Sequence, residues 1–478
     1  MYFSESIKKS QANAGYLINN KVETVFSLLK LFNFFIRSME ELQIMNQLSP
    51  TLVVGLGSFG GITVSHLRSL LYEEIGEPGL PFFRFVHISS HKDDENIKPQ
   101  PANHAGQKDW EKFHVLHSVI SLDDMETLRT LLNHQSPRAD EEPGWKDWLD
   151  PELINMCDSA YIAGAGNSRM IGKSCLWNNF TAKEAIKTRL TDMVTEITAP
   201  DKQVETELVL RNYLDRKQGK VNEKFSFSPA KKLRVYIIST LCGGTGSGMF
   251  LDLAFMLRQE GKEKNIFGIF SIPDMNTAQD THHARITANA YSALIELDYY
   301  SRDNTVFETQ FPGDQIATSI KDYPFDYVQL VSPSSKGSRF QIGTSSIADE
   351  NGIKALATMC ATSLFFELFG GAGTEKAGIW CNYPAKSDQW RKPRRMGTGY
   401  IQTLSTFGAS TAHYPKYRIA GAAACLQIQD KLFEWLGMVT TGSKLSDKKK
   451  RNYQEIQTGW KKLPENGLLR CANKDSQK

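Results

Sequence analysis

The chain has 478 residues, 41% hydrophobic and 23% charged, the composition of a globular protein with an ample core; at about 100–200 residues per domain it allows two to four domains. A formal net charge of +3 is too small to argue for a nucleic-acid or membrane partner. Seven scattered cysteines, odd in number and without C-x-x-C spacing, argue against a disulfide framework and for a reducing, cytoplasmic setting.

Residues 1–20 are polar. Val22, Val25, Phe26, Leu29, Phe32, Ile36 and Met39 follow helical spacing, so 21–46 reads as an amphipathic helix that packs on the domain, with membrane-surface contact as the alternative. Its apolar core, Val25–Ile36, spans only twelve residues and is interrupted by Lys30 and Asn33. No segment approaches the ~18 apolar residues of a membrane span.

After Pro50, Thr51–Val54 is predicted as a strand running into Gly55-Leu56-Gly57-Ser58-Phe59-Gly60-Gly61, and Ile62–Tyr72 as a helix. Phe82–Ile88 is a second buried-type strand, ending in Ser89-Ser90-His91-Lys92-Asp93-Asp94. The first turn matches the dinucleotide pattern G-x-G-x-x-G, but the first carboxylate, Asp93, falls well beyond the expected ~20 residues. Residues 92–155 read as a polar insertion, helical in part over His114–His134.

Asp158–Ile162 leads into Gly164-Ala165-Gly166-Asn167-Ser168-Arg169, with Met170–Ile186 as a helix. Gly172-Lys173-Ser174 looks like the tail of a Walker A loop. Position 167 is Asn where that motif needs Gly, and the triplet falls inside a helix, so Lys173 reads as a surface residue. Residues 187–214 continue helical, and Arg216–Lys232 is a basic linker.

Arg234–Leu257 organises the chain. An apolar strand, Val235–Leu241, meets Gly243-Gly244-Thr245-Gly246-Ser247-Gly248, and an apolar helix follows. Glycines in this number let a backbone approach a ligand closely, and the hydroxyls of Thr245 and Ser247 can bind phosphate oxygens. A helix opening there presents free N–H groups to an anion. The chemistry written here is phosphate binding.

Asn265–Ile272 is another buried strand, closed by Pro273; Ala284–Tyr300 is a helix and Phe325–Val331 a strand. His282 and His283 are adjacent and share no helix face, so no metal site is expected. Ala348–Phe369 is a helix apolar nearly all round, expected to be central and buried. A strand over Gly399–Phe407, a helix over Pro415–Leu436 and a polar basic tail complete the chain. Strands alternating with helices, each strand ending in a Gly/Ser/Asp-rich loop, predict an α/β fold with a doubly wound, mainly parallel sheet. Ligands bind such sheets at the carboxyl ends of the strands.

Gly243–Gly248 resembles the signature loop of the tubulin and FtsZ superfamily, with Cys242 where the longer form has its first glycine. Gly55–Gly61 resembles the family's first loop, Ser89-Ser90 its second, and Gly164-Ala165-Gly166-Asn167 its third. Pro273, Arg285, Ala288 and Glu296-Leu297 resemble the run after its fifth strand; Gly397–Tyr417 is similar to divergent bacterial tubulin-like proteins. The resemblance covers roughly residues 50–420.

Residues 1–50, an N-terminal extension, and the insertion at 92–155 depart from it; it implies a nucleotide-binding domain over 51–345, a central helix over 346–370 and a short or truncated second α/β domain over 371–440, followed by a tail over 441–478. It implies a cytoplasmic protein that binds GTP with Mg2+ and assembles head to tail with copies of itself. The implied nucleotide-binding residues are Gly55, Gly57, Ser58, Phe59, Gly60, Ser89, Ser90, Gly164, Ala165, Gly166, Asn167, Gly243, Gly244, Thr245, Gly246, Ser247, Gly248, Arg285 and Asn351. Hydrolysis would need acids from a neighbouring subunit; the family's N-x-D-x-x-D loop is absent, and Glu375 and Asp388 stand nearest. Two other readings stay open: a NAD(P)-dependent Rossmann-type enzyme using Gly55–Gly60, and a tubulin-like scaffold without turnover.

Overall fold

The computed structural model describes residues 48–90, 117–121, 148–149, 165, 167–180, 186–218, 227–229, 232–259, 264–273, 281–302, 305–314, 316–333, 350–369 and 404–407. The chain divides into two units, Met1–Ala409 and Ser410–Lys478. All described residues belong to the first. The expected helices at 21–46 and Pro415–Leu436 lie outside them.

Seven strands form one sheet: β1 (Thr51–Leu56), β2 (Phe83–Ser89), β3 (His117–Ser121), β4 (Leu233–Thr240), β5 (Lys264–Ser271), β8 (Tyr327–Val331) and β9 (Leu404–Ser405). Their order is β3-β2-β1-β4-β5-β8-β9, with every pair parallel. Two further strands, β6 (Phe307–Thr309) and β7 (Thr318–Ile320), form a small antiparallel pair. The seven described α-helices are α1 (Gly57–Ile75), α2 (Arg169–Asn179), α3 (Ile186–Ile197), α4 (Pro200–Gln218), α5 (Gly244–Gln259), α6 (Thr281–Tyr300) and α7 (Glu350–Phe369).

The pleat sorts the core into two layers. Leu52, Val54, Val235 and Ile237 point to one face, where they pack with Leu190 and Val194 of α3 and Phe250 and Leu253 of α5. Val53, Phe85, Tyr236 and Ile238 point to the other, among Leu67 and Leu71 of α1, Leu210 of α4 and Leu356 and Leu364 of α7. Both faces of the sheet are covered, which is why the strands read as continuous apolar runs. This is the expected doubly wound α/β architecture.

Three expectations are corrected. His117–Ser121 forms a strand, not a helix, because Val119 and Ile120 fall in register beside His87 and Ile88 of β2. Helix α7 is not buried all round: Leu356, Cys360, Leu364 and Leu368 are buried, while Phe366 is 41% exposed. Its 18 residues Gly352–Phe369 are long and apolar enough to cross a membrane, contrary to the sequence estimate, yet over half of that stretch is buried inside the fold. Helix α7 is anchored to β4 by the Tyr236 hydroxyl, which donates to the Glu367 carboxylate at 2.9 Å.

Candidate functional site

Strand order reverses between β1 and β4, the two central neighbours of the sheet. Each runs from its carboxyl end straight into a glycine turn and then a helix: α1 starts at Gly57 and α5 at Gly244. Two helix N-termini, each with unspent N–H groups and a positive dipole end, therefore stand side by side at a topological switch point. The turns touch: a Cβ at Gly57 would lie 3.4 Å from Thr245 Cβ. Gly57 has φ 63°, a left-handed conformation that glycine adopts without strain.

The glycines of the two turns do different work. A Cβ at Gly55 or Gly60 would stand 2.5 or 2.6 Å from the other's backbone, so this pair lets α1 turn tightly off β1. A Cβ at Gly244 would meet Ser168 backbone at 2.7 Å, one at Gly246 would meet Ser239 Oγ at 1.8 Å, and one at Gly248 would meet the Arg169 carbonyl at 2.2 Å. These three glycines are required by packing of α5 on α2 and β4. Gly243 differs: the nearest atom to its Cβ position is Thr240 Cγ2 at 3.6 Å. Among the described residues, a side chain at this position of the turn would meet no close neighbour.

Three side chains tie the third loop to the signature turn. Ser90, at the end of β2, accepts from the Ala165 N–H at 3.1 Å and lies 2.5 Å from the Thr245 hydroxyl. Asn289 of α6 donates one amide hydrogen to the Asn167 carbonyl at 2.8 Å and the other to the Cys242 carbonyl at 3.0 Å. Arg169 donates to the Ser247 carbonyl at 3.1 Å and forks onto Glu296 of α6 at 2.8 and 2.5 Å. Asn167 itself holds φ 60°, which asparagine tolerates better than most residues. Beneath the first turn, buried His87 donates from Nε2 to the Gly57 carbonyl at 3.0 Å, and its ring fills the space beside Gly61.

Lys173 is not a surface residue. Its ammonium lies 3.3 Å from the buried Asp252 carboxylate and over the rings of Trp148 and Trp177, at 4.8 and 5.3 Å. Burial raises the Asp252 carboxyl above its ordinary value, and the Lys173 charge opposes that shift. The Walker-like triplet thus builds the α2–α5 contact. Cys242, in the family's glycine position, is buried and its thiol is pushed up to about 12 by desolvation.

The structure brings Gly55, Gly57, Gly60, Ser90, Ala165, Asn167 and Gly243–Gly248 together at the switch point. Ser58 is exposed, whereas Phe59 is 4% exposed and belongs to the core on the α1 side. Ser89 is buried at the end of β2. Arg285 is exposed on α6, one turn before Asn289 and so on the same side of the helix. Asn351 lies in the first turn of α7. Gly164, Gly166, Glu375 and Asp388 lie outside the described residues. Among the described residues no group of three or more His, Cys, Asp or Glu side chains gathers to hold a metal ion. Sequence reasoning missed Asn289 and His87, and quoted Glu296 without a role at the site; an amide on an otherwise small-residue stretch of α6 was the available signal for the first.

A family model described as tubulin like matches residues 52–430. No curated protein matches. Among solved structures, CetZ2 from Haloferax volcanii, a GTPγS-bound protofilament, is 15% identical with a TM-score of 0.33, covering 70% of this chain and 62% of that one. CetZ from Methanosaeta thermophila is 15% identical with a TM-score of 0.31, covering 67% of this chain and 54% of the other. TubZ of Bacillus thuringiensis serovar israelensis, a GTPγS-form protofilament, is 11% identical with a TM-score of 0.28, covering 67% and 56%. The chain thus spans little more than half the length of the solved structures it matches.

Proposed function

This chain belongs to the tubulin-like family, and from that premise we propose that it binds GTP at the β1–β4 switch point and assembles head to tail with copies of itself. The observation that supports the binding reading is the pair of adjacent helix N-termini, whose turns meet at Gly57 and Thr245, with Gly243 uncrowded among the described residues. The nucleotide's phosphates take the N–H groups of the two turns, since anions are stabilised at helix N-termini. Assembly rests on family membership: a head-to-tail interface is heterologous and does not close on itself, so it gives a filament.

Mg2+ accompanies the nucleotide in this reading. It would be held chiefly by phosphate oxygens and water, as Mg2+ usually is, and the Thr245 and Ser90 hydroxyls, 2.5 Å apart, are oxygen donors at the turns. Glu375 and Asp388 of one subunit are the acids assigned to orient water at the neighbour's γ-phosphate. A reducing, cytoplasmic setting belongs to the same reading, and the Cys242 and Cys360 thiols are buried.

The dinucleotide reading is less well supported. Such enzymes hold the ribose with a carboxylate at the end of the second strand, and β2 ends here at Ser89, followed by Ser90, which is committed to the loops.

Equilibrium titration with GTP, ATP and NADH, paired with sedimentation under GTP and GDP, tests the proposal. Saturable GTP binding tighter than ATP, with pelleting under GTP and not GDP, is the expected result. Absence of GTP binding overturns it, and saturable NADH binding in its place supports the dinucleotide alternative.

A further inference from the structure

We propose that Asn289 is a positioning residue for the phosphate site: it sets the orientation of the Cys242–Gly243 peptide so that the turn offers an amide hydrogen, not a carbonyl oxygen, to the bound anion. This rests on the nucleotide reading above and goes beyond it by assigning a role on α6.

In a trans peptide the C=O and the following N–H point in opposite directions. Asn289 Nδ2 takes the Cys242 carbonyl at 3.0 Å, so the Gly243 N–H is directed away from α6. The Gly243 carbonyl is also spent, because it accepts from the Ser247 hydroxyl one turn along. Among the described residues the Gly243 N–H has no hydrogen-bond partner, and the Cβ position of the same residue opens on space. Neighbouring groups are otherwise committed: the Cys242 N–H donates to Thr240 Oγ1 at 3.2 Å, and the Leu241 N–H to the Ser271 carbonyl at 2.9 Å. One amide hydrogen is left for a ligand at the edge of the turn.

The second hydrogen of the same amide binds the Asn167 carbonyl at 2.8 Å. Asn167 C=O is thereby turned toward α6 as well, while the Ser168 N–H closes a turn onto the Ala165 carbonyl at 2.7 Å. A single side chain therefore withdraws one carbonyl from each of the two loops that face the phosphates. A carbonyl left pointing at a polyphosphate would repel it, so losing Asn289 acts on anion affinity and not only on stability. An aspartate at 289 has nearly the same shape but sets carboxylate oxygens against both carbonyls, so it should be the more damaging change.

The test measures GTP dissociation constants, competition by inorganic pyrophosphate and thermal melting for the wild-type chain, Asn289→Ala and Asn289→Asp. The expected result is a weakening of GTP and pyrophosphate by about tenfold in Asn289→Ala, roughly the loss of one hydrogen bond in a polar site, and by more in Asn289→Asp. A purely structural asparagine lowers the melting temperature and leaves both constants within twofold, which overturns the proposal. Wild-type protein that binds no GTP overturns the nucleotide reading and this inference with it. Should both variants fail to fold, hydrogen exchange on the wild-type chain decides: GTP must slow exchange in the peptide containing Gly243, and unchanged exchange at saturating GTP contradicts the assignment.

Discussion

Gly172 of α2 faces Gly244 of α5 so closely that a Cβ on Gly172 would stand 2.2 Å from the Gly244 carbonyl oxygen. The glycine of the Walker-like triplet and the first helical glycine of the signature turn are thus two sides of one helix crossing. Backbone meets backbone there, and neither partner can rotate away. Gly172→Ala should destabilise the fold by about 1–3 kcal/mol, the usual cost of overpacking, read as a lower urea midpoint. Gly248→Ala should do the same, because its Cβ would lie 2.2 Å from the Arg169 carbonyl.

Lys173 and Asp252 form a pair in which Asp252 is almost wholly buried, with a side-chain exposure of 3% against 24% for Lys173. Removing one member strands the other charge. Lys173→Met should cost about 3–5 kcal/mol, and the double variant Lys173→Met/Asp252→Leu should regain much of it, since a buried pair can often be replaced by apolar residues at little net cost. Chemical denaturation of the single and double variants measures this. Equal stability of single and double variants would contradict it.

The same carboxyl predicts a pH effect. Burial, the largest cause, raises Asp252 above its ordinary value, and Lys173 only partly offsets it. The folded state therefore holds this proton more tightly than the unfolded chain does. Its stabilising contribution is full below the unfolded value of about 3.9 and is lost as pH rises through the raised folded value. The stability of the wild-type chain minus that of Asp252→Asn should fall as pH rises from about 4 toward neutrality, followed by thermal melting in matched buffers. A difference that is flat or rises across that window would refute the assignment.

Cys242 yields a chemical prediction. Its thiol is buried and pushed up to about 12, and only the thiolate reacts readily with alkylating agents. Iodoacetamide at pH 8 should leave Cys242 unmodified in the folded protein and modify it after denaturation, as peptide mass spectrometry would show. Rapid labelling of the native chain would contradict the described packing of the turn.

Much of the fold was legible because its determinants are local. Val235–Leu241 and Phe82–Ile88 read as buried strands since both faces of the sheet are covered, and Gly55–Gly61 and Gly243–Gly248 mark the strand-to-helix turns. What each glycine does was not legible. Gly244, Gly246 and Gly248 are explained by α2 and Ser239, and only the crossing of α2 over α5 reveals that. Lys173 looked like a surface residue because its partners, Asp252 and Trp148, lie far along the chain in either direction. Asn289 carried no motif at all; its meaning comes from two carbonyls on loops that are 122 and 47 residues away in sequence. Strand β3 was read as helix because five residues show little periodicity, and its register comes from β2.

The most direct test compares Gly243→Ala with Gly246→Ala. Among the described residues the added methyl at Gly243 meets only Thr240 Cγ2, at 3.6 Å, whereas the one at Gly246 would run into Ser239 Oγ at 1.8 Å. If the Gly243 edge receives the nucleotide's phosphates, Gly243→Ala should melt like the wild type and bind GTP at least tenfold more weakly, while Gly246→Ala should lose stability first. A Gly243→Ala protein that binds GTP as tightly as the wild-type chain would contradict the proposed site.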